Sequence, residues 1–432
     1  MHRFTLLVGL ALLAASCSTR VPEVAISSGQ TLQTPTPPEP VAPMEITPLD
    51  HLLPEGQWQK QAASTVPVVL VHGLFGFGRD EGLGFHYWGG FTDLQDVLRK
   101  QGVPTYTASM GPVSSNWDRA VELYYQIKGG CADYGEDHAR THGHARFVTG
   151  KCYSGFYPQW DAQHPVHLIG HSMGGTTALT LVQMLEQGFF GGARPGWVKS
   201  ATTIASPNNG SSAAHVLLGF LPKLKEMVLA IGALAGSVDA FKTLYDFDLE
   251  QWGIRRQPGE SFESYWNRVT GSKAWSSNDI SSHDLSPEGA AAMRSWVKVS
   301  PGTYYFSYSA NATSKGLISG WAYPKVTMNP VLMPVAYPHV WPLKPGVGNY
   351  THASLGIDKN WWPNDGLVNT INMDAPEGTP TFAFDAAHLQ KGRWYHVGLL
   401  NGYDHIDVIG ITTFRDVRPL YVNHVGMLQG LP

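Results

Sequence analysis

Basic residues form no long run in this chain and the formal net charge is only -4, so the electrostatic footprint that nucleic-acid binding needs is missing. Charge of either sign is scarce, at 15% of 432 residues, while 43% are hydrophobic. Such a balance excludes disorder of the whole and permits a large core, as one big α/β domain or two smaller ones. Cysteine is scarcer still, with three in all. What abounds is 47 Gly, 30 Pro, 14 Trp and 18 Tyr, the composition of a loop-rich chain with aromatic surfaces and not of a helical bundle. Loops are where sites are built.

The opening MHRFTLLVGLALLAASC has a short basic start, an apolar run from Phe4 to Ala15 and small residues before Cys17. The run is too short to span a bilayer comfortably, so it reads as an export signal over residues 1–17. Cys17 after Ala14, Ala15 and Ser16 resembles the lipobox of bacterial lipoproteins, which implies a lipidated, membrane-attached N-terminus. Residues 18–54 are rich in Pro, Thr, Ser and Glu without apolar periodicity and fit a disordered tether. The folded domain is expected over 55–432. Cys131 and Cys152 remain in it, and in an oxidising compartment they are expected to pair.

Chemistry enters at two strands. Val66 to Val71 is a β-branched run closed by the Gly-rich loop His72, Gly73, Leu74, Phe75, Gly76, Phe77, Gly78, with Pro67 tolerable at the strand's start. Val166 to Gly175 is a second apolar strand followed by Gly170, His171, Ser172, Met173, Gly174 and a helical stretch from Thr176 to Leu185. It matches the G-x-S-x-G nucleophile elbow in the strand–turn–helix setting the motif demands. Side chains two positions from the serine would collide in so sharp a turn, hence glycine. The turn lifts the Ser172 hydroxyl into the open, and the helix N-terminus favours developing negative charge.

A serine hydroxyl needs a base, and the base needs a carboxylate to orient it. In α/β-hydrolases the chain order is Ser, Asp or Glu, then His. Asp365, in the turn Trp362–Pro363–Asn364–Asp365–Gly366, is preferred to Asp358, Asp385 and Asp404, and His405 to His339, His352, His388, His396 and His424; spacing alone leaves these alternatives open.

Long blocks then carry a resemblance: Gly84, Phe85, then Tyr87 to Gly90; SSNWDRA from Ser114; HGHARF from His142; QWG and RRQPGESF from Gln251 to Phe262; LGID from Leu355; NDGLVNT from Asn364; DHIDVIG from Asp404. From about Val66 to Phe414 the chain resembles the thermostable bacterial lipases of Bacillus and Geobacillus type together with the staphylococcal lipases. The resemblance implies an α/β-hydrolase fold with a mostly parallel central sheet, helices on both faces, a metal-binding insertion at about 114–160 and a helical lid at about 208–250. The Leu-, Ala- and Val-rich segment Ser211 to Tyr245 reads as amphipathic helices that suit such a lid. It implies triacylglycerol lipase activity on lipid or ester substrates at an interface, the triad Ser172, Asp365 and His405, and an oxyanion hole from the N–H groups of Leu74 and Met173. The family commonly has Phe and Gln at those two places, a difference a backbone donor does not feel. A carboxylesterase or polyesterase acting on short or polymeric esters would share every one of these residues.

Asp118, His138 and His144 lie in a His-rich insertion and suit zinc. The resemblance implies a structural zinc whose fourth ligand falls on Glu250, with Asp248 as substitute. It also implies a calcium near the catalytic histidine, to which Asp407 corresponds. Thr412 and Thr413 stand where the family has Asp-Pro, which removes a hard carboxylate oxygen.

Overall fold

In a computed structural model the described residues are Glu45, Ile46 and 65–432, except 83, 219–224, 227, 230, 231, 234–237, 240, 241, 243, 244, 341–343 and 412–414. The signal segment, the lipobox Cys17 and nearly all of the tether lie outside them. So do much of the lid, Thr412 and Thr413.

Six strands form the centre: β1 (Val68–Val71), β2 (Thr105–Ala108), β3 (Val166–His171), β4 (Val198–Ile204), β5 (Tyr304–Asn311) and β6 (Trp394–Asn401). They pair in the order β6-β5-β4-β3-β1-β2, every pair parallel. Short strands Thr381–Ala383 and Glu45–Ile46 add to the outer edge of β6. Parallel strands need crossovers, and these supply helices for both faces. Because side chains alternate along a strand, Val68 and Leu70 of β1 pack with α1 (Leu94–Lys100) and α4 (Arg418–Gln429), while Val69 and Val71 pack with α2 (Asn116–Lys128) and α3 (Met173–Glu186). This is the α/β-hydrolase architecture that the resemblance implied. No helix among the described residues is long and apolar enough to cross a membrane.

After α2 the chain makes an antiparallel hairpin, Gly130–Asp133 with Phe147–Tyr153, enclosing the short helix Glu136–His142. Cys131 and Cys152 sit opposite each other in its register and are disulfide-bonded, with Cα atoms 3.9 Å apart. The disulfide thus ties together the two ends of the loop that carries His138 and His144.

Candidate functional site

Strand order reverses between β1 and β3, and in open parallel sheets the crevice beyond the carboxyl ends at such a point is where ligands sit. The loops leaving these two strands hold the Gly-rich segment and Ser172. Ser172 has φ 55 and ψ -130, a conformation β3 and α3 impose from either side; such strain costs about 1–3 kcal/mol and is typical of functional turns. The flanking glycines follow from contact: a Cβ on Gly170 would lie 2.4 Å from the Gly174 backbone, and one on Gly174 would lie 1.9 Å from the Val71 carbonyl oxygen.

Ser172 Oγ is 2.9 Å from His405 Nε2, and His405 Nδ1 is 2.6 Å from Asp365 Oδ2. The carboxylate is fully buried. Its other oxygen accepts the N–H groups of Leu367 at 3.0 Å and Val368 at 2.8 Å, and its own carbonyl accepts the His405 N–H at 2.9 Å. The turn at Asn364–Gly366 therefore fixes both the Asp365 carboxylate and the backbone of His405. The alternatives go elsewhere: His388 bonds Asp385, His424 lies against Thr202 and Tyr308, and Asp358 caps a short turn at Asn360. Asp404 accepts the N–H groups of Ile406 and Asp407, holding the turn that presents His405.

Ser172 and His405 open into a cavity of about 160 Å³ whose other walls are mostly apolar, among them Leu74, Phe77, Phe85, Leu332, Ile406 and Ile409. Met173 is the first residue of α3, so its N–H has no acceptor within the helix. Leu74 lies in the cavity wall, on a loop whose shape is fixed by buried side chains. The buried His72 donates from Nδ1 to Gly73 O at 2.8 Å and accepts the Met110 N–H on Nε2 at 3.1 Å. Burial, reinforced by the Arg119 cation, pushes its pKa down to about 3, so the ring stays neutral. Arg119, fully buried, donates to the carbonyls of His72 and Gly111 and to Thr177.

One more network was absent from the sequence reading. The Gly73 N–H donates to Tyr87 Oη at 2.8 Å, Tyr87 O–H donates to His171 Nδ1 at 2.6 Å, and His171 Nε2–H donates to the His405 carbonyl at 2.8 Å. Burial, followed by the nearby His405, holds the His171 pKa well below the ordinary range, which suits this neutral tautomer. Tyr87 and Arg119 lie inside blocks that carried the resemblance, and His171 lies inside the G-x-S-x-G elbow; membership of those stretches was their only signal.

In the insertion, Asp118, His138 and His144 converge, but the fourth member is Asp279 and not Glu250. Glu250 turns to Lys151 at 3.7 Å and Arg255 at 3.8 Å, and Asp248 is also outside the group. His138 Nε2 lies 3.2 Å from Asp118 Oδ1 and 3.3 Å from Asp279 Oδ1, and His144 Nε2 lies 3.2 Å from Asp279 Oδ2. Tetrahedral ligands at zinc–ligand distances of ~2.0 Å would stand ~3.3 Å apart. His144 Nε2 and Asp279 Oδ2 are buried with no hydrogen-bond partner, as atoms aimed at an ion would be. His144 Nδ1–H donates to Ala145 O at 2.9 Å, leaving Nε2 free to ligate, and Gln251 of the QWG block holds the second oxygen of Asp118 at 2.9 Å.

Asp407, the expected calcium ligand, has Arg415 Nε 3.3 Å from its carboxylate and accepts the Asp404 N–H at 3.2 Å. In the segment expected to form the lid, Ser212–Leu218 is helical and Leu217 reaches the cavity wall.

Residues 64–420 match the lipase-like C-terminal domain family. A lipase of Staphylococcus epidermidis is 34% identical over 372 residues, covering 82% of this chain and 51% of its own length; the chain spans about half the length of the curated relatives it matches. Among solved structures, EstA from Clostridium botulinum superposes with a TM-score of 0.77 at 36% identity, over 90% of this chain and 96% of that one. Lipase 1 from Pelosinus fermentans does so with a TM-score of 0.72 at 38% identity, over 86% and 100%.

Proposed function

The chain belongs to the lipase-like C-terminal domain family, and on that premise we propose that it is a serine ester hydrolase acting on acylglycerols. The observation that carries the reading is the Ser172–His405–Asp365 chain of hydrogen bonds opening into an apolar cavity. His405 Nε2 takes the proton of Ser172 as Oγ attacks the ester carbonyl, Asp365 holds the ring in the productive tautomer, and the N–H groups of Leu74 and Met173 receive the oxyanion. His405 then protonates the leaving alcohol, and water activated by the same ring releases the acid. The mostly apolar wall suits an acyl chain.

Asp118, His138, His144 and Asp279 would hold a zinc ion. Four protein ligands close the coordination shell, so the ion's part is structural. The disulfide Cys131–Cys152 accords with export.

The test is hydrolysis of nitrophenyl esters from short to long acyl chains and of emulsified triacylglycerol, by the native chain and Ser172→Ala. Long-chain and emulsion activity that disappears in Ser172→Ala supports the lipase. Activity confined to short soluble esters replaces it with a carboxylesterase, and hydrolysis that survives in Ser172→Ala refutes the site.

A further inference from the structure

Beyond β5 the chain makes a hairpin, Thr313–Lys315 paired with Ala322–Pro324, whose turn carries Leu317 and Ile318. These two side chains are fully exposed, at 103% and 102%, and Val326 just past the second strand is 96% exposed. Aliphatic pairs displayed this way are not a by-product of a loose tip. Gly316 N–H donates to Trp321 O at 2.7 Å, Gly320 N–H to Gly316 O at 3.0 Å, and the Trp321 N–H to Ser319 Oγ at 3.2 Å. Gly320, at φ +71, supplies the left-handed residue the turn needs. The turn is built, and it points its two aliphatic side chains at solvent.

Its place in the fold gives this a direction. The hairpin leaves the carboxyl end of β5, the edge of the sheet from which the catalytic loops also spring. Ala312 N–H donates to Asn364 O at 3.0 Å and Asn364 N–H to Thr313 Oγ1 at 3.2 Å, so the first strand is bonded to the residue before Asp365. Past the second strand the chain returns to line the catalytic cavity with Val331 and Leu332. The tip thus stands on a rim of the site.

Chemistry selects the occupant. No acidic residue occurs between Glu288 and Asp358, and Lys315 flanks the tip. Trp321 and Tyr323 follow the aliphatic pair in the chain, ring types that settle where hydrocarbon meets water, and Tyr323 is exposed. An aliphatic tip, aromatic rings close to it in the chain and a hairpin that itself carries Lys315 and no acidic residue match a lipid surface, more so one on which hydrolysis leaves fatty carboxylates.

We propose that the Thr313–Pro324 hairpin is an interfacial wedge: Leu317 and Ile318 enter the surface of the aggregated ester and hold the rim of the catalytic cavity against it. This rests on the ester-hydrolase reading above, and it concerns a segment separate from the helical lid.

The experiment uses the full chain with Leu317→Ser/Ile318→Ser, and with Leu317→Phe/Ile318→Met as the apolar replacement. Partition onto vesicles of equal parts phosphatidylcholine and phosphatidylglycerol is measured in a Ser172→Ala background. Hydrolysis of dissolved nitrophenyl butyrate and of emulsified triolein is measured with Ser172 present. We expect the serine pair to lower vesicle partition and emulsion rate by roughly tenfold, to leave the dissolved-ester rate within about twofold, and the apolar pair to restore both surface readouts. Vesicle partition and emulsion rate unchanged in the serine pair, or a native chain that does not partition at all, would overturn the wedge. Loss of all Ser172-dependent ester hydrolysis would instead overturn the activity, and the vesicle arm would still decide the wedge.

Discussion

His171 Nε2 donates to the backbone carbonyl of His405 at 2.8 Å. The residue before the proposed nucleophile therefore grips the proposed base, across a separation of 234 positions. The other nitrogen of His171 receives the Tyr87 hydroxyl, which itself receives Gly73 N–H, next to the proposed oxyanion donor Leu74. One phenol thus ties His405, the Ser172 turn and the Gly73–Leu74 loop into a single frame, and in the proposed mechanism transition-state stabilisation is sensitive to displacements of about 1 Å.

Tyr87→Phe keeps the ring in the cavity wall and removes only the hydroxyl. We expect kcat on nitrophenyl butyrate to fall by about tenfold to a hundredfold with KM within about twofold, because the lost interaction positions groups used in the transition state. An unchanged kcat would mean the frame is packing and nothing more.

The elbow predicts a stability effect. In Gly174→Ala the new Cβ meets the Val71 carbonyl at 1.9 Å and that of His72 at 2.6 Å, so the end of β1 must move. Overpacking against backbone is expected to cost about 3 kcal/mol or more, read as a lower urea midpoint together with lost activity. A midpoint equal to that of the native chain would show that strand and helix approach less closely than described.

At the metal cluster the two candidate fourth ligands separate cleanly. Chelation should lower the Tm of the native chain, and returned zinc should restore it. Asp279→Ala should have the lowered Tm from the outset and ignore both treatments, whereas Glu250→Ala should still respond to them. The reverse pattern would return Glu250 to the cluster and remove Asp279.

Acid should weaken the fold through its buried imidazoles. Burial, helped at His72 by Arg119, pushes the pKa values of His72 and His424 down to about 3, against an unfolded value near 6.5. Below that value the unfolded chain takes up protons the folded chain refuses. The stability these rings contribute is complete above pH ~6.5 and is lost as pH falls towards ~3, with a slope from the pair of ~2.7 kcal/mol per pH unit between pH ~5.5 and ~4. Burial also lowers His167 and His171, which adds in the same direction. Urea unfolding at stepped pH measures it; stability that is flat or rises on acidification would contradict the buried, neutral assignments.

The fold was legible in the residues because two buried parallel strands announced themselves as β-branched runs, and because G-x-S-x-G is rare in a strand–turn–helix setting. Asp365 and His405 needed more, since several downstream acids and histidines fit the required order equally well until long blocks fixed the register. Asp279 was missed because it lies in a polar loop, Ser276–Ser277–Asn278–Asp279, with no periodicity and no neighbouring ligand; only folding brings that loop to Asp118. The Tyr87 frame was illegible for the same reason, since hydrogen bonds among residues 73, 87, 171 and 405 leave no trace in spacing.

The central claim is that Ser172 is a nucleophile driven by His405. Its most direct test is labelling the full chain with an alkyl fluorophosphonate, read by intact mass and peptide mapping. One adduct per chain is expected, on Ser172, formed far more slowly in His405→Ala and not at all in Ser172→Ala. An adduct on another residue, or full labelling of the Ser172→Ala chain, would contradict it.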